Sequence, residues 1–114
     1  YLLLAEAYLR QNMPDKAADA VNEVRRRAKV ADVSDDEMTM DYLLDERIRE
    51  LYGEESRRFT LVRTGKLIER VKKYNPEARD LIQDFHVLWP IPQAVRDANT
   101  GEFPQNPGYE GYEG

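Results

Sequence analysis

The sequence contains no cysteine, which excludes disulfides, thiolate metal sites, thiol nucleophiles and Cys-linked lipids within these residues. It has one histidine, His86, so multi-histidine metal centres are excluded. A Ser-His-Asp triad would have to draw on Ser34 or Ser56, neither of which sits in a nucleophile-elbow pattern. No apolar run approaches the roughly 18 to 20 residues that cross a bilayer as a helix. With 17 basic against 22 acidic residues the formal net charge is −5, and no basic stripe interleaves with aromatics, so nucleic acid is not an expected partner. The first residue is Tyr1 rather than Met, and no signal-peptide pattern precedes the first apolar run. The 114 residues read as a piece of a longer polypeptide, long enough for one modest core.

What the sequence does contain is helical periodicity. Residues 1–11 are good helix formers, apolar nearly all round, and predict a buried helix. Pro14 then stands where a first helical residue tolerates a missing N–H, with Asp15 favourably placed against the helix dipole. The second helix runs to about residue 28 with Ala17, Ala20, Val21, Val24 and Ala28 on one face, and Arg25, Arg26 and Arg27 in its last turn. Residues 29–38 form a polar loop. Its acidic cluster, Asp32, Asp35, Asp36 and Glu37, lacks the glycine and spacing of a calcium-binding loop and reads as solvated. Ser34 with Glu37 fits a capping box, while Thr39 is the better boundary for a third helix carrying Leu43, Leu44, Ile48, Leu51 and Tyr52. Gly53 is its candidate stop.

A fourth helix over residues 56–64 carries Phe59, Leu61 and Val62, with Phe59 and Val62 expected to face the core. Gly65 caps it before a fifth helix with Leu67, Ile68 and Val71, which Asn75 and Pro76 end. Residues 76–85 predict one more short helix. Beyond His86 lie Pro90, Pro92, Pro104 and Pro107 together with Gly101, Gly108, Gly111 and Gly114, the composition of an extended, irregular tail. Ile91 is expected to point inward from it, and the closing low-complexity residues 108–114 to fray. His86 itself reads as a structural histidine.

The fold class is therefore all-α. The expected organisation is a tetratricopeptide-like helical region over residues 1–85 and a tail, 86–114, packed on the helices. The repeat reading rests on Tyr1, Leu4, Ala5, Tyr8, Ala17 and Val21, which match the aromatic, large and small positions of one 34-residue helix-turn-helix unit. Val24 replaces a usual Ala, and Lys29 a usual Pro. Small residues at Ala5 and Ala17 let two helices approach closely, and one such unit cannot bury its own apolar face, so neighbouring units are implied.

The most specific stretch is Asp45-Glu46-Arg47-Ile48-Arg49-Glu50-Leu51, continued by Glu54, Arg57, Leu61, Arg63, Gly65, Lys66 and Leu67. On these residues the chain resembles the C-terminal part of the SusD/RagB family of outer-membrane nutrient-binding lipoproteins. Glu55 departs from a usual Gly, Ser56 from an aromatic or His, and Thr60 from an Asp that would make a buried salt link. Read without the family, the stretch is a charge-laced helix with Asp45 and Glu46 near Arg49, and with Arg57 and Arg63 as partly buried partners of Glu50 or Glu54. The tail adds two further resemblances: Trp89-Pro90-Ile91-Pro92-Gln93 to the family's PIPQ segment, and Gln105-Asn106-Pro107-Gly108-Tyr109 to its QNPGY segment.

The resemblance implies a non-enzymatic protein, with no cofactor, metal or catalytic residue. It implies binding of a nutrient such as an oligosaccharide at the surface side of the outer membrane and its delivery to a SusC-like TonB-dependent transporter. Membrane attachment would come only through a lipid anchor outside this segment, which would serve mainly as scaffold and partner-facing surface. Trp89 and Phe103, with Tyr109 and Tyr112, are the aromatics that an apolar sugar face would stack on; core packing is the plainer use of all four. Two competing readings are a tetratricopeptide-type adaptor for protein–protein interaction, which has no need of the two tail motifs, and a piece of a glycan-processing enzyme, which would require paired carboxylates in a cleft.

Overall fold

A computed structural model describes residues 1–112. The chain divides into two compact units, Tyr1–Ser56 and Arg57–Gly114. The first holds α1 (Leu2–Arg10), α2 (Pro14–Arg27) and α3 (Met40–Glu50); the second holds α4 (Arg57–Arg63), α5 (Leu67–Tyr74), a 3₁₀ helix (Asp84–Val87) and α6 (Gln93–Asp97). There is no strand among the described residues, and the protein is all-α.

In the first unit α1 and α2 form the repeat-like hairpin. Ala5 and Ala17 are both wholly buried, in one apolar cluster with Leu2, Ala18, Ala20, Val21, Val24 and Leu43. Methyl side chains at these two positions let the helix backbones come close enough for Val21 and Leu43 to close the space beside them. α1 is not buried all round. Leu2, Ala5 and Glu6 face inward, whereas Tyr1 and Leu3 are 68% and 65% exposed and Leu4 is exposed as well, because α2 and α3 together cover one face of a helix. Ala28 is the C-cap of α2 and lies in solvent.

Both helices end on a left-handed residue, Asn12 (φ 57°) and Lys29 (φ 59°). Met13 N–H returns to the Tyr8 carbonyl at 3.0 Å and Val30 N–H to the Arg25 carbonyl at 3.1 Å, the paired closure that satisfies a helix's last carbonyls. A proline, locked near φ −65°, has no place at Lys29.

Thr39 is the cap of α3, accepting from the Tyr42 N–H at 3.2 Å. The Ser34–Glu37 pair also forms, with the Ser34 hydroxyl donating to Glu37 at 2.9 Å, but it closes a turn inside the loop. That loop is less solvated than its composition suggests, since Val33 and Met38 enter the core. Asn22, buried on α2, grips it by accepting from the Val33 N–H at 2.8 Å and donating to the Val33 carbonyl at 3.0 Å.

In the second unit the phase of α4 differs from expectation: Thr60 and Leu61 are buried, while Phe59 is 60% exposed and Val62 only half-buried. Gly65 (φ 70°) closes α4 as predicted, with Lys66 N–H on the Leu61 carbonyl at 2.8 Å. The short helix expected over residues 76–85 is absent. Asn75 Oδ1 accepts from both Glu77 N–H and Ala78 N–H at 3.1 Å, diverting the backbone into turns, and only Asp84–Val87 is helical, as 3₁₀. The tail is irregular apart from α6, whose start Pro92 provides.

Candidate functional site

The charged stretch on α3 is spent on the fold. Glu46 is buried and accepts from Arg25 at 2.8 Å and from Arg49 at 2.6 Å, and its carboxylate raises the pKa of the Arg49 guanidinium. Glu50, expected to take Arg57 or Arg63, takes Arg27. Arg26 goes to Asp32 at 2.5 Å, and Arg25 also donates to the Ala31 carbonyl at 2.6 Å. Each of the three arginines read as complements to the helix dipole thus has its own acceptor, two of them more than 20 residues away.

The departures from the family pattern find local compensations. The left-handed turn is taken by Gly53 (φ 77°), which leaves Glu55 free to pair with Arg47 at 2.7 Å, both side chains about nine-tenths buried. Thr60 is buried without a carboxylate, and its carbonyl accepts from the Thr64 hydroxyl at 2.8 Å.

A cleft of about 430 Å³ opens on the first unit. Leu2, Leu3, Val24 and Leu51 give it apolar walls, and Glu23, Arg27, Arg47 and Glu50 supply its charges.

In the second unit the two tail motifs close on each other. Ile91 N–H donates to Gln105 Oε1 at 2.7 Å and the Gln105 amide donates back to the Ile91 carbonyl at 2.8 Å. Asn106 Nδ2 donates to the Trp89 carbonyl at 2.7 Å, and the Tyr109 hydroxyl to the Leu88 carbonyl at 3.0 Å. Pro90 and Pro92 have no N–H, so this segment cannot pair as a regular strand, and amide side chains provide the partners that a neighbouring strand would otherwise bring. Arg58 on α4 fastens the same segment from the other side, donating to the His86 carbonyl at 2.5 Å and stacking over the Trp89 ring at 5.0 Å.

The candidate aromatics separate into different settings. Trp89 is 57% exposed, and its ring meets Phe59 at 5.7 Å with the planes tilted by 59°; reading Phe59 as core obscured this pairing. Phe103 is partly exposed and its carbonyl accepts from Arg96. Tyr109 instead packs edge-on against Phe85 at 4.9 Å and against Tyr112 at 6.3 Å. Tyr109 is half-buried by these contacts, whereas Gly108 and residues 110–112 are exposed, and residues 113–114 lie outside the described residues. His86 accepts from the Gln83 N–H through Nδ1 at 2.8 Å, a structural use. Among the described residues no group of three or more acidic or histidine side chains could hold a metal ion, and no helix is long and apolar enough to cross a membrane.

Comparison with known proteins gives one family. The sequence profile of the SusD family matches residues 1–109. SusD-like protein P38 of Formosa agariphila is 32% identical over 101 residues, covering 79% of this chain. The chain spans 19% of that relative's length. No solved structure matches.

Proposed function

Because the chain belongs to the SusD family, we propose that it forms part of a non-enzymatic binding protein that captures a nutrient, in the first instance an oligosaccharide, at the outer-membrane surface. The protein is anchored there by lipid outside this segment and hands its ligand to a SusC-like TonB-dependent transporter. The observation that carries the reading is the family match over nearly the whole chain. Within the protein, residues 1–85 are the tetratricopeptide-like scaffold and residues 86–114 a tail that packs on helices, the whole serving mainly as support and partner-facing surface. Two features support the scaffold role. Glu46, Arg47, Arg49 and Glu50 of the family stretch are committed to internal ion pairs, and Gln105 and Asn106 are committed to backbone groups. The fastening of the tail favours this reading over a tetratricopeptide adaptor, which has no use for one. Trp89, and less directly Phe103, are the residues offered for sugar contact.

The test is co-purification of the full-length protein with a TonB-dependent transporter from outer membranes, together with calorimetric titration using a panel of oligosaccharides. Binding without turnover and recovery of the transporter are the expected results. Hydrolysis of any panel member, or neither binding nor transporter, overturns the proposal.

A further inference from the structure

In the second unit an exposed aromatic corner stands on fixed backbone with an unanswered charge beside it. Asn106 holds the Trp89 carbonyl, Gln105 holds Ile91, Tyr109 the Leu88 carbonyl and Arg58 the His86 carbonyl. The Trp89 and Phe59 rings are nevertheless each more than half exposed, 5.7 Å apart with their planes at 59°. Such a corner suits a ligand with a flat, partly apolar face, and because the backbone beneath it is already ordered, binding costs little further conformational freedom. Arg58 restricts which ligand that is. Its guanidinium is half-buried and lies 5.0 Å over the Trp89 ring. Nη2 is spent on the His86 and Leu88 carbonyls, whereas Nε and Nη1 donate to no described residue and neither is sealed from solvent. No carboxylate among the described residues pairs with it, although Arg25, Arg26, Arg27, Arg47 and Arg49 each have one. The sequence around it reverses the sign of the chain as a whole: residues 57–66 contain Arg57, Arg58, Arg63 and Lys66 and no acidic residue, against a net charge of −5. A half-buried cation with free donors and no counterion is complementary to an anionic oxygen, which forms hydrogen bonds roughly twice as strong as a neutral acceptor's.

We propose that Phe59, Trp89 and Arg58 form a subsite for an acidic pyranose unit, one that carries a carboxylate or a sulfate. The apolar face of the sugar lies on the ring corner, and its acid group accepts from Arg58 Nε or Nη1. An uncharged sugar or an apolar peptide segment would cover the rings but leave the guanidinium without a counterion. The inference deepens the proposed capture of an oligosaccharide and rests on that reading.

Calorimetric titration of the full-length protein tests this with tetragalacturonate, its uncharged methyl ester, a sulfated tetrasaccharide and the same tetrasaccharide desulfated. At least one acidic ligand should bind about tenfold more tightly than its uncharged counterpart, the gain of a hydrogen bond to a charged group, and the two pairs distinguish carboxylate from sulfate. Arg58→Met should abolish that preference and leave the affinity for the uncharged form unchanged, which also establishes that the ring corner survives the substitution. Phe59→Ala, at an exposed position that makes no hydrogen bond to the tail, should weaken both forms. Equal affinity for acidic and uncharged forms overturns the subsite alone, as does a preference that persists in Arg58→Met or a substitution of Arg58 that weakens both forms equally. A single-stranded oligonucleotide bound as tightly as the acidic sugar overturns it too, by showing general attraction for polyanions. Binding of no oligosaccharide at all overturns the subsite together with the proposed function.

Discussion

Gln105 and Ile91, fourteen residues apart, exchange two hydrogen bonds, one in each direction between side-chain amide and backbone. Asn22 and Val33 do the same in the first unit. In both cases a loop that has no strand partner is fixed by one amide side chain that offers donor and acceptor together.

Replacing Gln105 by Leu should therefore leave the N–H and carbonyl of Ile91 unpaired and cost about 1 to 3 kcal/mol. Chemical denaturation measures the loss, and amide exchange should accelerate first at Ile91 and Asn106, whose N–H groups both reach the Gln105 oxygen.

Gly108 allows a close approach that no other residue permits. Its φ is +86°, and a Cβ built there would stand 2.3 Å from Phe85 Cγ. Gly108→Ala combines left-handed strain with a steric clash and should destabilise by about 2 to 4 kcal/mol. Phe85→Leu in the same chain should recover part of that loss in a double-mutant cycle, and full additivity would show that the two residues do not meet.

Lys29→Gly should stabilise by about 0.5 to 1 kcal/mol, because the residue is held at φ 59° at the end of α2. Lys29→Pro should destabilise strongly in the same unfolding experiment, although proline is the residue the repeat pattern usually carries there.

Ala17→Leu should cost about 1 to 3 kcal/mol through overpacking of a wholly buried position. A thermal midpoint equal to that of the parent would contradict close packing of α1 on α2.

Glu37 supplies a pH dependence. The Ser34 hydroxyl, then the Ser34 N–H, hold its carboxyl below the ordinary glutamate range. A carboxyl whose folded pKa is depressed contributes stability above its unfolded pKa, about 4.3 for glutamate, and loses it as the pH falls through the folded value. An NMR titration of Glu37 should show its inflection move up in Ser34→Ala.

The helix starts and stops were legible because caps are local. Pro14, Thr39 and Gly65 act within a turn of where they stand. The repeat-like hairpin was legible for the same reason, through the spacing of Ala5, Ala17 and Val21. What the sequence concealed depended on partners far along the chain. Phe59, Leu61 and Val62 allow more than one helix phase; the observed one exposes Phe59, which meets Trp89 thirty residues on. The acceptors of Arg25 and Arg27 lie on another helix, and charge composition alone does not say which glutamate each arginine reaches. For the site, Trp89 was visible as a candidate, whereas the exchange of hydrogen bonds between Gln105 and Ile91 had no signal, because its partners lie fourteen residues apart.

The clasp between the two tail motifs also fixes an order of events. While the chain is being synthesised, the carbonyls of Trp89 and Ile91 remain hydrated until residues 105 and 106 have emerged, so the clasp is assembled after α1 through α6 have been made. A product cut short anywhere between residues 93 and 104 retains the complete sequence of α1 through α5 but leaves its proline-rich segment open. Proteases favour such unpaired, extended backbone, and the amides of Gln105 and Asn106 thereby decide whether this segment is closed or open to cleavage.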